Sequence, residues 1–295
     1  MLRSPMDIDR QSPPTPGISI VDCRSDAELI ALWLQGKSLC TQQAYRSDIA
    51  AFEAFLDNKT LAQVKVDDLA AFTSALQQQG YAVSSLRRRL YAVKSLLSFA
   101  TKVGYLSLNP SHFVTLPKKR SNLSDRILSE TEVLNLIALE PKPRNRIMLR
   151  FLYETGCRVG EMCQLKWRNL KPRHQGAQVD LWGKGGKMRS VLISPKLWMD
   201  LQTLRTTANA PVFATKSGRH FALSNVVRIV KAAAKRAGNG DNVSPHWLRH
   251  AHASHSLDRG APLHLVQATL GHSSIATTER YLHARPDESS SQYLP

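Results

Sequence analysis

Cysteine is scarce: 295 residues contain four, Cys23, Cys40, Cys157 and Cys163. They are scattered and none stands in a CxxC pair, which argues against a disulfide framework or a zinc ribbon and leaves idle, reduced thiols. Long apolar runs are missing too. No stretch approaches the roughly 18–20 residues that a membrane helix needs. The opening MLRSPMDIDRQSPPTPG lacks the apolar core of a secretory signal. The chain is therefore expected to be cytoplasmic, with no membrane as partner. No internal repeats are evident, and acidic residues are few: 23 Asp and Glu stand against 40 Lys and Arg.

The resulting net charge of +17 is unevenly spread. Residues 1–110 hold 12 Lys and Arg against 10 Asp and Glu, whereas residues 111–295 hold 28 against 13. Self-repulsion of that size costs stability, and a polyanionic partner offsets it. Nucleic acid is the favoured partner. An acidic membrane surface fits less well, because no basic amphipathic helix with a Trp or Phe face is present.

Residues 1–23, with Ser12-Pro13-Pro14-Thr15-Pro16-Gly17 and no periodicity, read as a disordered arm. Residues 24–110 read as four helices. Tyr45, Ile49, Phe52 and Leu56 make one amphipathic stripe, capped by Thr41 or Ser38, and Leu86, Leu90, Val93, Leu97 and Ala100 make another. Two further helices fit near 26–35 and 66–79. Residues 111–125, with Pro117-Lys118-Lys119-Arg120, read as a basic linker. Beyond it, helices are expected over 129–140 and 144–153. Val179/Leu181 and Val191/Ile193 alternate on either side of Gly183-Lys184-Gly185-Gly186-Lys187, the pattern of strand, glycine turn and strand. From Leu197 onward helices resume.

The stretch 244–283 is densest in chemistry. Ser244 and Pro245 start a helix that sets His246, Arg249 and His250 at i, i+3 and i+4 on one face. Gly260 ends it, Pro262 begins another, and Gly271 closes that one, leaving His272 in the following turn. Ser273 or Ser274 then opens a last helix bearing Tyr281.

His246-Trp-Leu-Arg249-His250, Leu270-Gly271-His272 and Thr277-Thr278-Glu-Arg-Tyr281 together resemble the active-site signature of the tyrosine recombinases (the integrase family), with Xer-type spacing. Upstream, Glu154-Thr-Gly-Cys-Arg158-Val-Gly-Glu161 is similar to the first arginine box of that family. The 183–187 turn is similar to its lysine turn, with Lys184 in the matching place. The similarity runs from about residue 25 to the end. It implies a mainly α protein: a four-helix core-binding (SAM-like) domain, then an α/β catalytic domain over 126–285 with a small antiparallel sheet, clamping a duplex between them. It implies the catalytic set Arg158, Lys184, His246, Arg249, His272 and the nucleophile Tyr281, joined to DNA through a 3′-phosphate, with Glu161 and His250 in support. It also implies a homo-tetramer on two DNA sites in the nucleoid, open to a related recombinase or accessory protein, in which the tail 286–295 docks on a neighbouring protomer.

The chemistry of the residues agrees. Charge builds on the non-bridging oxygens when a phosphodiester is attacked. Arg158 and Arg249 offer permanent, bidentate cations for it, and no clustered Asp/Glu pair is present to hold magnesium. No cofactor and no metal is expected. Zinc on His246, His250 and His272 is the weaker reading, since Arg249 would face the ion. Lys187 rivals Lys184 as the acid, and Tyr153 and Tyr293 rival Tyr281. Candidate DNA contacts are Arg46, Arg87 and Arg88 in the helical lobe, and Lys118, Lys119 and Arg120 in the linker. A type IB topoisomerase-like nicking enzyme and a non-catalytic DNA-binding accessory protein are the alternatives.

Overall fold

The computed structural model of the protein describes residues 25–117 and 123–282, with Lys184 described by its backbone alone. The expected arm, the candidates Lys118, Lys119 and Arg120, and the tail with Tyr293 lie outside the described residues. The chain divides into two units, Met1–Arg120 and Ser121–Pro295.

The first unit is built from four helices: α1 (Asp26–Leu34), α2 (Leu39–Leu56), α3 (Val66–Gln78) and α4 (Val83–Lys102). Ser25 caps α1, and Ser38 rather than Thr41 caps α2, its side chain accepting from the Thr41 N–H. The two stripes face inward: Ile49, Phe52 and Leu56 meet Leu86, Leu90, Val93, Leu97 and Ala100 in one core. Burying each large apolar side chain is worth roughly 1.5–3 kcal/mol, so this seam outweighs any surface ion pair in the unit. Tyr45 is only partly buried and stacks on Trp33, ring centroids 5.0 Å apart. The segment expected to be linker begins as structure. Its 3-10 turn at Pro110–Phe113 is held on α4 by Lys94, whose Nζ donates to the carbonyls of Ser111 at 2.6 Å and Val114 at 2.7 Å.

The second unit holds α5 (Glu130–Ala138), α6 (Pro143–Thr155) and α7 (Val159–Gln164). Three antiparallel strands follow in the order β1 (Leu170–Pro172), β2 (Ala177–Trp182) and β3 (Met188–Ile193). Ser129 starts α5 with a capping box closed by Glu132. β2 and β3 form the expected hairpin, with Val179 opposite Val191 and both buried. β1 was not anticipated. Three residues with one buried side chain carry too little alternation to be recognised.

After α8 (Pro195–Gln202) the chain departs from the expectation of continuous helices. Residues 203–222 form turns and isolated bridges, Lys166 to Pro211 and Ala214 to His220, before α9 (Leu223–Arg236). They seat Phe213 in the core, edge-on to Phe151 with centroids 5.5 Å apart. The last elements are α10 (Pro245–Asp258), α11 (Leu263–Leu270) and α12 (Ala276–Glu279). Among the described residues, no helix is long and apolar enough to cross a membrane.

Candidate active site

Arg249 anchors the site. Pro245 opens α10 as expected, although the Ser244 side chain makes no capping bond. One helical turn on, Arg249 is 4% exposed, and its two terminal nitrogens donate to the Gly156 carbonyl at 2.5 Å and the Leu270 carbonyl at 2.7 Å. Burial, helped by Arg158 and Arg189, pulls its pKa down to about 10, which still leaves it charged at neutral pH. Gly156, the cap of α6, has φ 55°, and a Cβ there would lie 2.7 Å from Leu270 Cδ2. Only glycine lets α6 and α11 approach this closely beneath the arginine.

Arg158 is the N-cap of α7. Its Nη1 donates to Glu161 Oε1 at 3.0 Å, its backbone N–H to Glu161 Oε2 at 2.8 Å, and its Nη2 to the Gly271 carbonyl at 3.3 Å. Arg189, on β3, forks onto the same carboxylate with Nη1 at 2.9 Å and Nη2 at 2.7 Å, while its Nε donates to the Thr269 carbonyl at 2.6 Å. Burial works to raise the Glu161 carboxyl, but the hydrogen bonds and charges of Arg189 and Arg158 outweigh it and hold its pKa below the ordinary range. Thr269, Leu270 and Gly271 are thus three consecutive carbonyls at the end of α11, each accepting from a different arginine. Carbonyls at a helix C-terminus lack intrahelical partners and carry partial negative charge, so they hold three like charges side by side. An open cleft of about 510 Å³ lies over this arrangement, lined by Arg158, Gly183, Lys187, Met188, Arg189, Gly271, His272 and Ser273.

Of the predicted lysine turn, Gly185 and Gly186 have φ 76° and 73°, a left-handed pair that makes the tight Lys184–Gly186 turn. Lys187 lines the cleft. His272 falls in the turn after α11, its Nδ1 2.9 Å from the Thr278 hydroxyl. Burial, and then Arg249, Arg158 and Arg189, push its pKa down to about 4. His246 is lowered by burial, Arg249 and Arg158, and its ring stacks on His250 with centroids 6.2 Å apart. Both histidines of the predicted set are therefore shifted toward the neutral form, which suits hydrogen-bonding groups better than cations. Among the described residues, no three His, Cys, Asp or Glu side chains are grouped to hold a metal ion.

Tyr281 departs from the expected placement. α12 is four residues long with Ile275, not Ser273 or Ser274, at its N-cap, and Tyr281 sits in the turn beyond it. The ring is 5% exposed, packed with Ile127, Ala253, Val266 and Leu270, and its hydroxyl lies 2.7 Å from His250 Nδ1. It does not line the cleft. Burial raises the phenol against the pull of Arg249 and Arg280, while burial, His246 and Arg249 lower His250 to about 4. Both shifts make proton transfer from the phenol to this imidazole less favourable than between the free groups, so the contact suits a hydrogen bond better than removal of the proton. The rival Tyr153 is half-buried, its hydroxyl 3.0 Å from His255 Nδ1.

Of the other predicted contacts, Arg46 is exposed on α2. Arg87 donates to the Pro117 carbonyl and lies over the Tyr91 ring, and Arg88 pairs with the buried Asp48 while remaining half-exposed. Sequence reasoning missed Arg189, Thr278 and the three carbonyls. Arg189 was within reach: two residues before inward-facing Val191, period-2 alternation puts it on the inward face.

Two family models match the chain: the phage integrase family over residues 126–288, and the phage integrase N-terminal SAM-like domain over residues 29–104. The chain belongs to the phage integrase family. As a tyrosine recombinase it has well-covered relatives. It is 32% identical over 260 residues to the tyrosine recombinase XerC of Xylella fastidiosa (strain M23), covering 84% of this chain and 87% of that protein. It is 33% identical over 291 residues to the tyrosine recombinase XerD of Shewanella oneidensis, covering 92% and 96%. Its fold matches a lambda integrase (75–356) dimer bound to a COC′ core site, with TM-score 0.73, 20% identity, and 90% and 95% of the two chains covered. A lambda integrase tetramer bound to a Holliday junction matches with TM-score 0.68, 19% identity, and 84% and 77% covered. The recombinase is a site-specific DNA-recombining enzyme, mainly helical with a small antiparallel sheet.

Proposed function

We propose that this recombinase cuts and rejoins duplex DNA through a 3′-phosphotyrosine at Tyr281, with no metal ion and no nucleotide cofactor. The observation that carries the reading is the convergence of Arg158, Arg249 and His272 on one end of α11, with Tyr281 in the turn beyond the short α12 and packed on Leu270. A phosphate in the cleft meets Arg158 directly, with the positive potential of Arg189 beside it and of the buried Arg249 behind. Arg158 and Arg249 stabilise the charge that develops on the non-bridging oxygens. When the Thr278 hydroxyl donates to Nδ1 of neutral His272, Nε2 carries the proton and is a donor to the same oxygens. Tyr281 leaves its contact with His250 and passes its phenol proton to solvent water as its oxygen attacks phosphorus. The Arg158 and Arg249 charges stabilise the developing phenolate, and the bond to the 5′-oxygen breaks. Lys184 protonates that leaving oxygen. The phosphotyrosine conserves the bond energy, so the reverse attack by a 5′-hydroxyl rejoins the strand without ATP.

Exchange between two duplexes needs four cut strands, hence four protomers. The lambda integrase tetramer on a Holliday junction supports that count by likeness of fold. The tail 286–295 is assigned to docking on a neighbouring protomer, and Arg46, Arg87, Arg88, Lys118, Lys119 and Arg120 to the phosphate backbone. A type IB topoisomerase-like activity is not favoured, because the N-terminal helices match the integrase SAM-like domain. The test is a nicked suicide substrate in excess EDTA. The native protein forms a denaturant-stable adduct there, and Tyr281→Phe binds the same DNA but forms none. An adduct at normal yield from Tyr281→Phe, or cleavage that needs added metal, contradicts the mechanism.

A further inference from the structure

Arg158 faces a difficulty. Its side chain is 39% exposed and lines the cleft, yet its guanidinium touches the buried Glu161 carboxylate, whose side chain is 5% exposed. An ion pair of this kind cancels its own field, and a neutral pair is a poor receptor for phosphate. Arg189 lines the same cleft but its side chain is only 12% exposed, and it sets both terminal nitrogens on Glu161, sharing Oε1 with Arg158. Two guanidiniums on one carboxylate leave one net positive charge, and the more exposed of the two is the one that carries it into the cleft. The Nε bond to the Thr269 carbonyl fixes Arg189 to the end of α11, two residues from the carbonyl that receives Arg158. Arg189 also sits at the turn end of the hairpin that contains Lys184, opposite Leu181, so one side chain ties the lysine turn, the α7 cap and the α11 terminus together.

We propose that Arg189 is a positioning residue of the recombination reaction: it neutralises and orients Glu161, so that the charge of Arg158 stays available to the phosphate. The inference rests on the reading of Arg158 as a phosphate-binding cation. A merely structural Arg189 would leave a different signature. Removing it leaves Glu161 charged and bound to Arg158 alone, which draws Arg158 back and cancels its field. Removing the Glu161 charge as well undoes that effect, whereas a packing defect is only made worse.

The test measures single-turnover adduct formation and single-site DNA affinity for Arg189→Ala, Arg189→Lys, Arg158→Ala and the double variant Arg189→Ala/Glu161→Gln. Arg189→Ala is expected to lower adduct formation by on the order of 10²-fold, the loss that follows when one transition-state donor is misplaced. Arg189→Lys keeps the charge beside Glu161 and guards against a folding failure, but it cannot reach both carboxylate oxygens and the Thr269 carbonyl, so about a tenfold loss is expected. The double variant is expected to recover at least about tenfold over Arg189→Ala, because Gln still accepts from Arg158 but no longer neutralises it. A scissile methylphosphonate, which lacks one anionic oxygen, is expected to shrink the Arg189→Ala defect to within about fivefold of the native protein. Native rates in both Arg189 variants overturn the proposal. So does an Arg189→Ala defect of equal size on both substrates that Glu161→Gln does not relieve. If Arg158→Ala itself cleaves normally, the underlying reading of the site fails and the inference falls with it.

Discussion

At the scale of single residues, the contact between His250 and Tyr281 decides how the proposed nucleophile is read. A histidine held to about 4 is a poor base for a phenol raised above its ordinary 10. On the proposed mechanism His250 therefore holds Tyr281 by a hydrogen bond and is not its base. His250→Ala should cost about 1–3 kcal/mol of stability, because a buried hydroxyl loses its partner. It should lower single-turnover cleavage by less than about tenfold, whereas loss of a general base costs 10²–10⁴-fold, values to be compared on one nicked substrate. A drop of about a thousandfold would make His250 the base. The sequence placed His250 on the correct helix face, but its partner was unreadable. Burial and a 2.7 Å contact between residues 31 apart depend on how α10 and the α12 turn pack.

At the scale of elements, the β2–β3 hairpin is where sequence and mechanism meet. The glycine pair and the alternation of Val179, Leu181, Val191 and Ile193 made this element legible, as did the apolar stripes of α2 and α4. Less legible was anything held by long-range packing. Strand β1 has three residues, 203–222 is irregular, and α12 stops at Glu279, short of Tyr281. The site followed the same division. Arg158, Arg249 and His272 were singled out by resemblance of short motifs to those of the family, whereas the three carbonyls of α11 are invisible in a sequence because every residue has one. The hairpin yields a separate expectation for its two lysines. Replacing the leaving 5′-oxygen by sulfur, which departs without a proton, should restore cleavage to Lys184→Ala and give no comparable gain to Lys187→Ala. Rescue of the Lys187 variant alone would exchange their roles.

At the scale of the whole molecule, the chain combines a strong positive charge with histidines that stay neutral inside its catalytic unit. His252 donates from Nδ1 to the Tyr153 carbonyl at 2.9 Å, and burial holds its pKa at about 4 against an ordinary 6.5. Because the folded state resists protonation, this stability is full above pH 6.5 and is lost as pH falls toward 4. The depressed Glu161 adds its own loss only at pH below its ordinary value. For His252 the shift corresponds to roughly 3 kcal/mol, and His250 adds in the same direction. The thermal midpoint should therefore fall steadily between pH 6.5 and 4.5, and a flat midpoint across that window would contradict the burial described here. In the mechanism proposed here the charge distribution serves one act, the transfer of a DNA phosphate to a tyrosine, and that act would leave a covalent mark. The most direct measurement traps the protein on a nicked substrate in excess EDTA, digests it, and locates the nucleotide by mass spectrometry. The mechanism predicts a single modified peptide carrying the DNA 3′-phosphate on Tyr281. Modification of any other residue, or a 5′-phosphate linkage, would contradict it.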